Sequence, residues 1–165
     1  VDSSICPKVV YCHPIGTVMA LAERAADMIC PPSIYEKCWE DHFTAHNADN
    51  LDGVVASYAD DCVLQEYDHV AGTTKTYSGH EEVKEFFKVH LASLKGKDGK
   101  IVDVQPIPNP PLVKENILWV NWSAKSNTTE YKDCADTFIF KEVKDGEAKI
   151  AFHYQHVNKY NLGPN

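Results

Sequence analysis

The sequence has no apolar run approaching the ~18–20 residues that cross a bilayer as a helix, and no membrane association is expected. Positive charge is scarce: 16 Lys and Arg stand against 24 Asp and Glu, for a formal net charge of −8 in 165 residues. The basic residues are scattered, whereas a phosphate-neutralising surface needs them clustered, so a nucleic-acid partner is not expected either. No CxxC pair occurs, which removes zinc ribbons and thioredoxin-type redox sites. No glycine-rich phosphate loop and no G-x-S-x-G elbow is present. His42 and His46 have the i, i+4 spacing of metal ligands. The segment His42-Phe43-Thr44-Ala45-His46 lacks the glutamate of HExxH, however, and no third ligand can be placed, so neither a metal nor another cofactor is expected.

What is present begins with six cysteines: Cys6, Cys12, Cys30, Cys38, Cys62 and Cys134. Four fall in the first 38 residues, the chain starts with Val, and two sequons occur at Asn121-Trp122-Ser123 and Asn127-Thr128-Thr129. Together these point to a secreted or luminal glycoprotein with disulfides.

Periodicity organises the chain. Val18, Leu21, Ala22, Ala25, Met28 and Ile29 give a helix from Thr17 that ends at Cys30-Pro31-Pro32, and residues 1–32 read as an N-terminal extension. Residues 33–165 read as one domain. Ser33 and Glu36 have capping-box spacing before a helix with Tyr35, Trp39, His42, Phe43 and His46 on one face. A short helix from Leu51 follows. Strands are predicted at Cys62–Tyr67 and Lys75–Tyr77. The strongest helix opens at Ser78 and carries Val83, Phe86, Phe87, His90, Leu91 and Leu94 as one stripe. Beyond it come strands at Lys100–Gln105, Ile117–Lys125, Glu130–Lys141 and Ala148–Lys159, with Pro106–Pro111 as a loop. Helices, a hairpin, a helix and a meander imply an α+β fold on an antiparallel sheet.

Three stretches carry a family resemblance: Asp49 to Val63, with its acidic turn and short helix; Tyr77 to Phe87, a helix start after the first hairpin; and Asp136-Thr137-Phe138-Ile139-Phe140 with Ala148-Lys149-Ile150, a closing hairpin. In this order the chain from about Ser33 to Tyr160 resembles the SnoaL-like/NTF2-like superfamily. The resemblance implies a cone: a curved antiparallel sheet with helices packed on its concave side and a pocket in its mouth. The superfamily spans isomerases, dehydratases, cyclases, ligand carriers and assembly domains, so function has to be argued from the site. The resemblance also implies an acid in the stretch around Asp136 that does acid–base work in cyclase-type members.

Asp136 alternates with Cys134, Phe138 and Phe140, which places a carboxylate on a buried strand face. On the last strand the face Ile150/Phe152/Tyr154/His156 is the more apolar. It is expected inside, with Tyr154 and His156 inward as partners of Asp136 and His153 outward; a one-residue slip reverses this. A glycan on Asn121 turns Trp122 inward. Trp122, Trp39, Tyr58, Phe138, Glu66 and His153 are the candidate ligand contacts. Three readings fit these residues: a protein binding a small apolar or aromatic molecule, an acid–base enzyme using Asp136 with His156 or Tyr154, and an assembly domain. In the last, the outer face around Trp119 meets a second copy, and a homodimer is expected on any of the three. Binding is preferred narrowly, because alternation alone places no acid–base pair.

Overall fold

The computed structural model describes residues 33–95, 103–144 and 146–163; the expected N-terminal extension, with Cys6, Cys12 and Cys30, lies outside the described residues. The elements are α1 (Ile34–Asn47), α2 (Leu51–Ala56), β1 (Tyr58–Asp68), β2 (Thr73–Ser78), α3 (Gly79–Lys95), β3 (Asp103–Lys114), β4 (Ile117–Lys125), β5 (Thr129–Lys144), β6 (Glu147–Val157) and β7 (Lys159–Asn161). The strands form one sheet in the order β2-β1-β6-β5-β4-β3, with β7 on β5. The sheet is curved and open, as the α+β cone requires. It is not wholly antiparallel: β1 and β6 run parallel, because the chain crosses over through α3 and the β3–β5 meander before β6 returns beside β1.

Local chemistry explains the boundaries. Asn50 caps α2 by accepting the Gly53 N–H at 3.0 Å. The α3 stripe is buried as its spacing predicts: Val83, Phe86, Phe87, His90, Leu91 and Leu94. At its start, Glu82 accepts the Ser78 N–H at 2.7 Å, four residues on, with Gly79 between them at φ 73°. The proline stretch is not a loop. It lies within β3, at the sheet edge, where a missing N–H is tolerated, and the pairing with β4 shifts register between Ile107 and Leu112. No described helix is long and apolar enough to cross a membrane.

The inward face of the sheet is a grid. Leu118 pairs with Phe138 and Phe138 with His153; Val120 pairs with Asp136 and Asp136 with Gln155; Trp122 pairs with Cys134. Helices α1 and α3 cover it, burying Cys38, Phe86 and Phe87 against Leu118 and Phe138.

The expected facing of β6 is reversed over its second half. Phe140 pairs with Ile150 and Ile139 with Phe152, so Ala151 is an extra residue opposite nothing. Ile150 points in, the bulge resets the alternation, and His153, Gln155 and Val157 are buried while Tyr154 is 37% exposed. Tyr154 and His156 therefore lie on the outer face, where Tyr154 shares a row with Thr137 and the exposed Trp119.

The expected disulfides are not formed by the described cysteines. Cys38, Cys62 and Cys134 are buried free thiols. Burial pushes Cys38 up to about 11 and Cys134 up to about 12, so these thiols are inert and pack as small apolar groups.

Candidate functional site

A cavity of about 60 Å³ lies between the grid and the two helices. Helix α1 contributes Trp39, His42, Phe43 and His46, α3 contributes Phe87, His90 and Leu94, and the floor comprises Val120, Trp122, Asp136, Phe138, His153 and Gln155. Trp39, Phe43 and His46 are half-buried and form its mouth. The enclosed space suits a few waters and falls below the ~150 Å³ that holds a benzene ring, so a ring-sized ligand has to extend into the mouth.

Asp136 sits at the centre of the floor, 8% exposed. Its Oδ2 lies 3.4 Å from His153 Nε2 and accepts from Gln155 Nε2 at 3.4 Å. The His153 geometry is out of line for a hydrogen bond, so Nε2 has no bonded partner, and Asp136 Oδ1 has none either. His153 is 1% exposed and stacks on Phe138 with ring centroids 4.0 Å apart. Its Nδ1 is 2.8 Å from the Tyr58 hydroxyl. Burial and the Asp136 carboxylate push that phenol well above its usual range, so it keeps its proton. Nε2 is the nitrogen nearest Asp136, and the tautomer with the proton there and Tyr58 donating to Nδ1 is the one that keeps an imidazole lone pair off the Asp136 oxygen.

The other three histidines of the wall are held neutral. Burial drives His42 well below its ordinary value, with the neighbouring His46 adding to the effect. Burial lowers His46 as well, and brings His90 down to about 3. His42 has a fixed tautomer: Ser57 Oγ donates to the Val54 carbonyl at 2.6 Å, so it accepts from His42 Nδ1–H at 2.8 Å and leaves Nε2 as the lone-pair nitrogen. This engagement removes Nδ1 from metal ligation, and among the described residues no three His, Cys, Asp or Glu side chains converge to hold an ion. The wall therefore sets Asp136 and His153 against three rings that burial keeps uncharged.

Of the residues singled out from sequence, Asp136, Trp122, Phe138, Trp39 and His153 line this cavity. Tyr58 supports it from behind through His153. Glu66 does not line it: it pairs with Gln155 from β1, one strand farther out, where burial raises its carboxyl. Tyr154 and His156 are turned away. Sequence reading missed Gln155, and it placed His42, His46 and His90 on helix faces without seeing that the two faces meet over Asp136.

No family model matches the sequence, and no curated protein matches it. Solved structures do match in shape. An NTF2-like protein of unknown function from Burkholderia xenovorans is 14% identical, with TM-score 0.54 over 80% of this chain and 88% of that one. A SnoaL-like protein of unknown function from Burkholderia thailandensis is 16% identical, with TM-score 0.53 over 75% and 94%. An NTF2-like protein of unknown function from Burkholderia pseudomallei is 19% identical, with TM-score 0.51 over 77% and 92%. At such identities the likeness establishes the fold alone.

Proposed function

We propose that this chain, which has the NTF2-like/SnoaL-like fold, is an enzyme that moves a proton on a small, largely apolar molecule, with Asp136 as base and His153 as its partner. One observation carries the reading. A buried carboxylate with a free oxygen lies 3.4 Å from a second titratable side chain, and both line the same cavity. A carrier needs the cavity but not the pair. Packing is a poor reason for the pair, since charges removed from water cost more than apolar residues of the same volume.

In this reading a substrate C–H or O–H breaks toward Asp136 Oδ1. The electron pair stays on the substrate and the proton moves to the carboxylate. The neutral carboxyl then returns the proton to another atom of the same molecule, a net isomerisation that consumes nothing. His153 Nε2 stands 3.4 Å from the carboxyl as its electrostatic partner, not as a hydrogen-bond donor, and Tyr58 holds the ring in that orientation. Asp136 is 8% exposed beneath the half-buried mouth, so its carboxyl proton exchanges with solvent between the two transfers.

The test is deuterium exchange. The protein is incubated in D2O with a panel of small cyclic ketones and enones, and NMR reads incorporation above the buffer rate. Asp136→Asn should slow exchange by about 10²–10⁴-fold with the unfolding midpoint unchanged. Undiminished exchange in that variant removes Asp136 from the role. Panel members that bind without exchanging make the site a carrier.

A further inference from the structure

Five buried side-chain polar atoms lack a hydrogen-bond partner among the described residues: His46 Nδ1, Trp122 Nε1, Asp136 Oδ1, His153 Nε2 and Gln155 Oε1. All five belong to the wall of the one cavity described above. Buried polar groups are nearly always satisfied by the protein or by ordered water, so five exceptions in one place mark where a polar occupant sits.

Their chemical types set the specification. Trp122 Nε1–H can only donate. An ionised Asp136 can only accept, and its Oδ1 is the free oxygen. Gln155 is oriented by the same logic: a carboxylate takes only donors, so the amide nitrogen faces Asp136 Oδ2 and Oε1 is left as a second acceptor. Trp122 and Asp136 stand on neighbouring strands one row apart, since Val120, two residues before Trp122, pairs with Asp136. Diagonal positions of this kind lie about 7–8 Å apart along the sheet, near enough for one small ring to meet both side chains. Trp39, Phe43, Phe87 and Phe138 offer aromatic surface to the body of the ligand.

Resting on the reading of this cavity as a small-molecule site, we propose that its ligand is a neutral single-ring molecule carrying two oxygens. One oxygen accepts from Trp122 Nε1–H. The other is a hydroxyl that donates to Asp136 Oδ1, with Gln155 Oε1 beside it as the alternative acceptor. A carboxylate ligand would set a second negative charge against Asp136. An ammonium ligand would present no acceptor to Trp122.

Four probes of similar size separate the classes: resorcinol, toluene, benzoate and benzylamine. Each is titrated into 15N-labelled full chain, and the indole N–H signals are followed; the Trp122 signal is the one missing in Trp122→Phe. Resorcinol should move that signal and bind at least about tenfold tighter than toluene. Trp122→Phe and Asp136→Asn should each weaken resorcinol about tenfold or more relative to toluene. Tighter binding of benzoate or benzylamine, or of toluene with no preference for resorcinol, overturns the ligand class and leaves the cavity reading standing. Resorcinol binding with the Trp122 signal unmoved also overturns it. Failure of all four probes to bind removes the cavity reading and this proposal together.

Discussion

Tyr58 and His153, 95 residues apart in the chain, are joined by a fully buried 2.8 Å hydrogen bond that fixes which nitrogen of the imidazole faces Asp136. Tyr58→Phe keeps the ring and deletes the bond. The Nδ1 left behind is buried without a partner, so the variant should lose about 1–3 kcal/mol in urea unfolding. It should also change the pH profile of proton exchange, because the imidazole is free to hold its proton on either nitrogen. An unchanged profile with only a stability loss would make Tyr58 a packing residue.

The neutral histidines predict acid sensitivity, and the sign follows from linkage. His42, His46 and His90 have folded pKa values below the 6.5 of the unfolded chain, His90 at about 3. Below pH 6.5 the unfolded chain binds protons that the folded chain refuses. Stability is thus fully present above 6.5 and is lost as pH falls from there toward 3. The urea midpoint should be lower at pH 5 than at pH 7.5. His90 packs parallel to Phe86 and edge-on to Trp122, so His90→Phe preserves ring packing and should flatten this dependence by about one proton. The same slope in wild type and variant would remove His90 as its source.

The architecture was readable because the core elements obey simple periods. On α3 the buried positions follow the helical repeat without exception, and on β5 Cys134, Asp136, Phe138 and Phe140 alternate inward as read. Asp136 was found for that reason, and Trp122 from its neighbouring sequon. The partner of Asp136 was not found, because the strand supplying it carries a single unpaired residue, Ala151. An insertion of one shifts a period-two pattern onto the wrong face, and nothing in Ile150-Ala151-Phe152-His153 marks it: there is no glycine and no charge. Prolines misled at β3 because a sheet-edge strand and a loop share their composition. His42, His46 and His90 show only that each helix buries a histidine; their convergence on one floor is a fact of tertiary packing.

Gly79 joins β2 to α3, and so sets where Phe87 and His90 fall above the floor. Its φ of 73° lies in the left-handed region, although a Cβ there would meet nothing closer than the Asp60 carbonyl oxygen at 3.5 Å. The cost of Gly79→Ala is therefore backbone strain rather than a clash. It should be about 1–2 kcal/mol, read as a lower urea midpoint with the slope of the transition unchanged. A loss much larger than that would mean the turn rearranges and moves α3 with it.

Val120 offers the cleanest separation of cavity from fold. It is buried on β4, directly opposite Asp136, and lines the cavity without supplying a polar atom. Val120→Phe extends an apolar ring into that space and leaves Asp136, His153, Tyr58 and Trp122 chemically intact. Filling a real void commonly adds about 0.5–2 kcal/mol, whereas forcing a ring into a packed core costs about 1–3 kcal/mol. The urea midpoint of this variant therefore reports whether the space is open. With an open cavity the midpoint should hold or rise, and both ligand binding and proton exchange should fall by at least about tenfold, because the filled volume is the one the ligand needs. A raised midpoint with undiminished binding would place the ligand elsewhere on the protein, and a midpoint lowered by the full overpacking cost would show the floor beneath α1 to be solid.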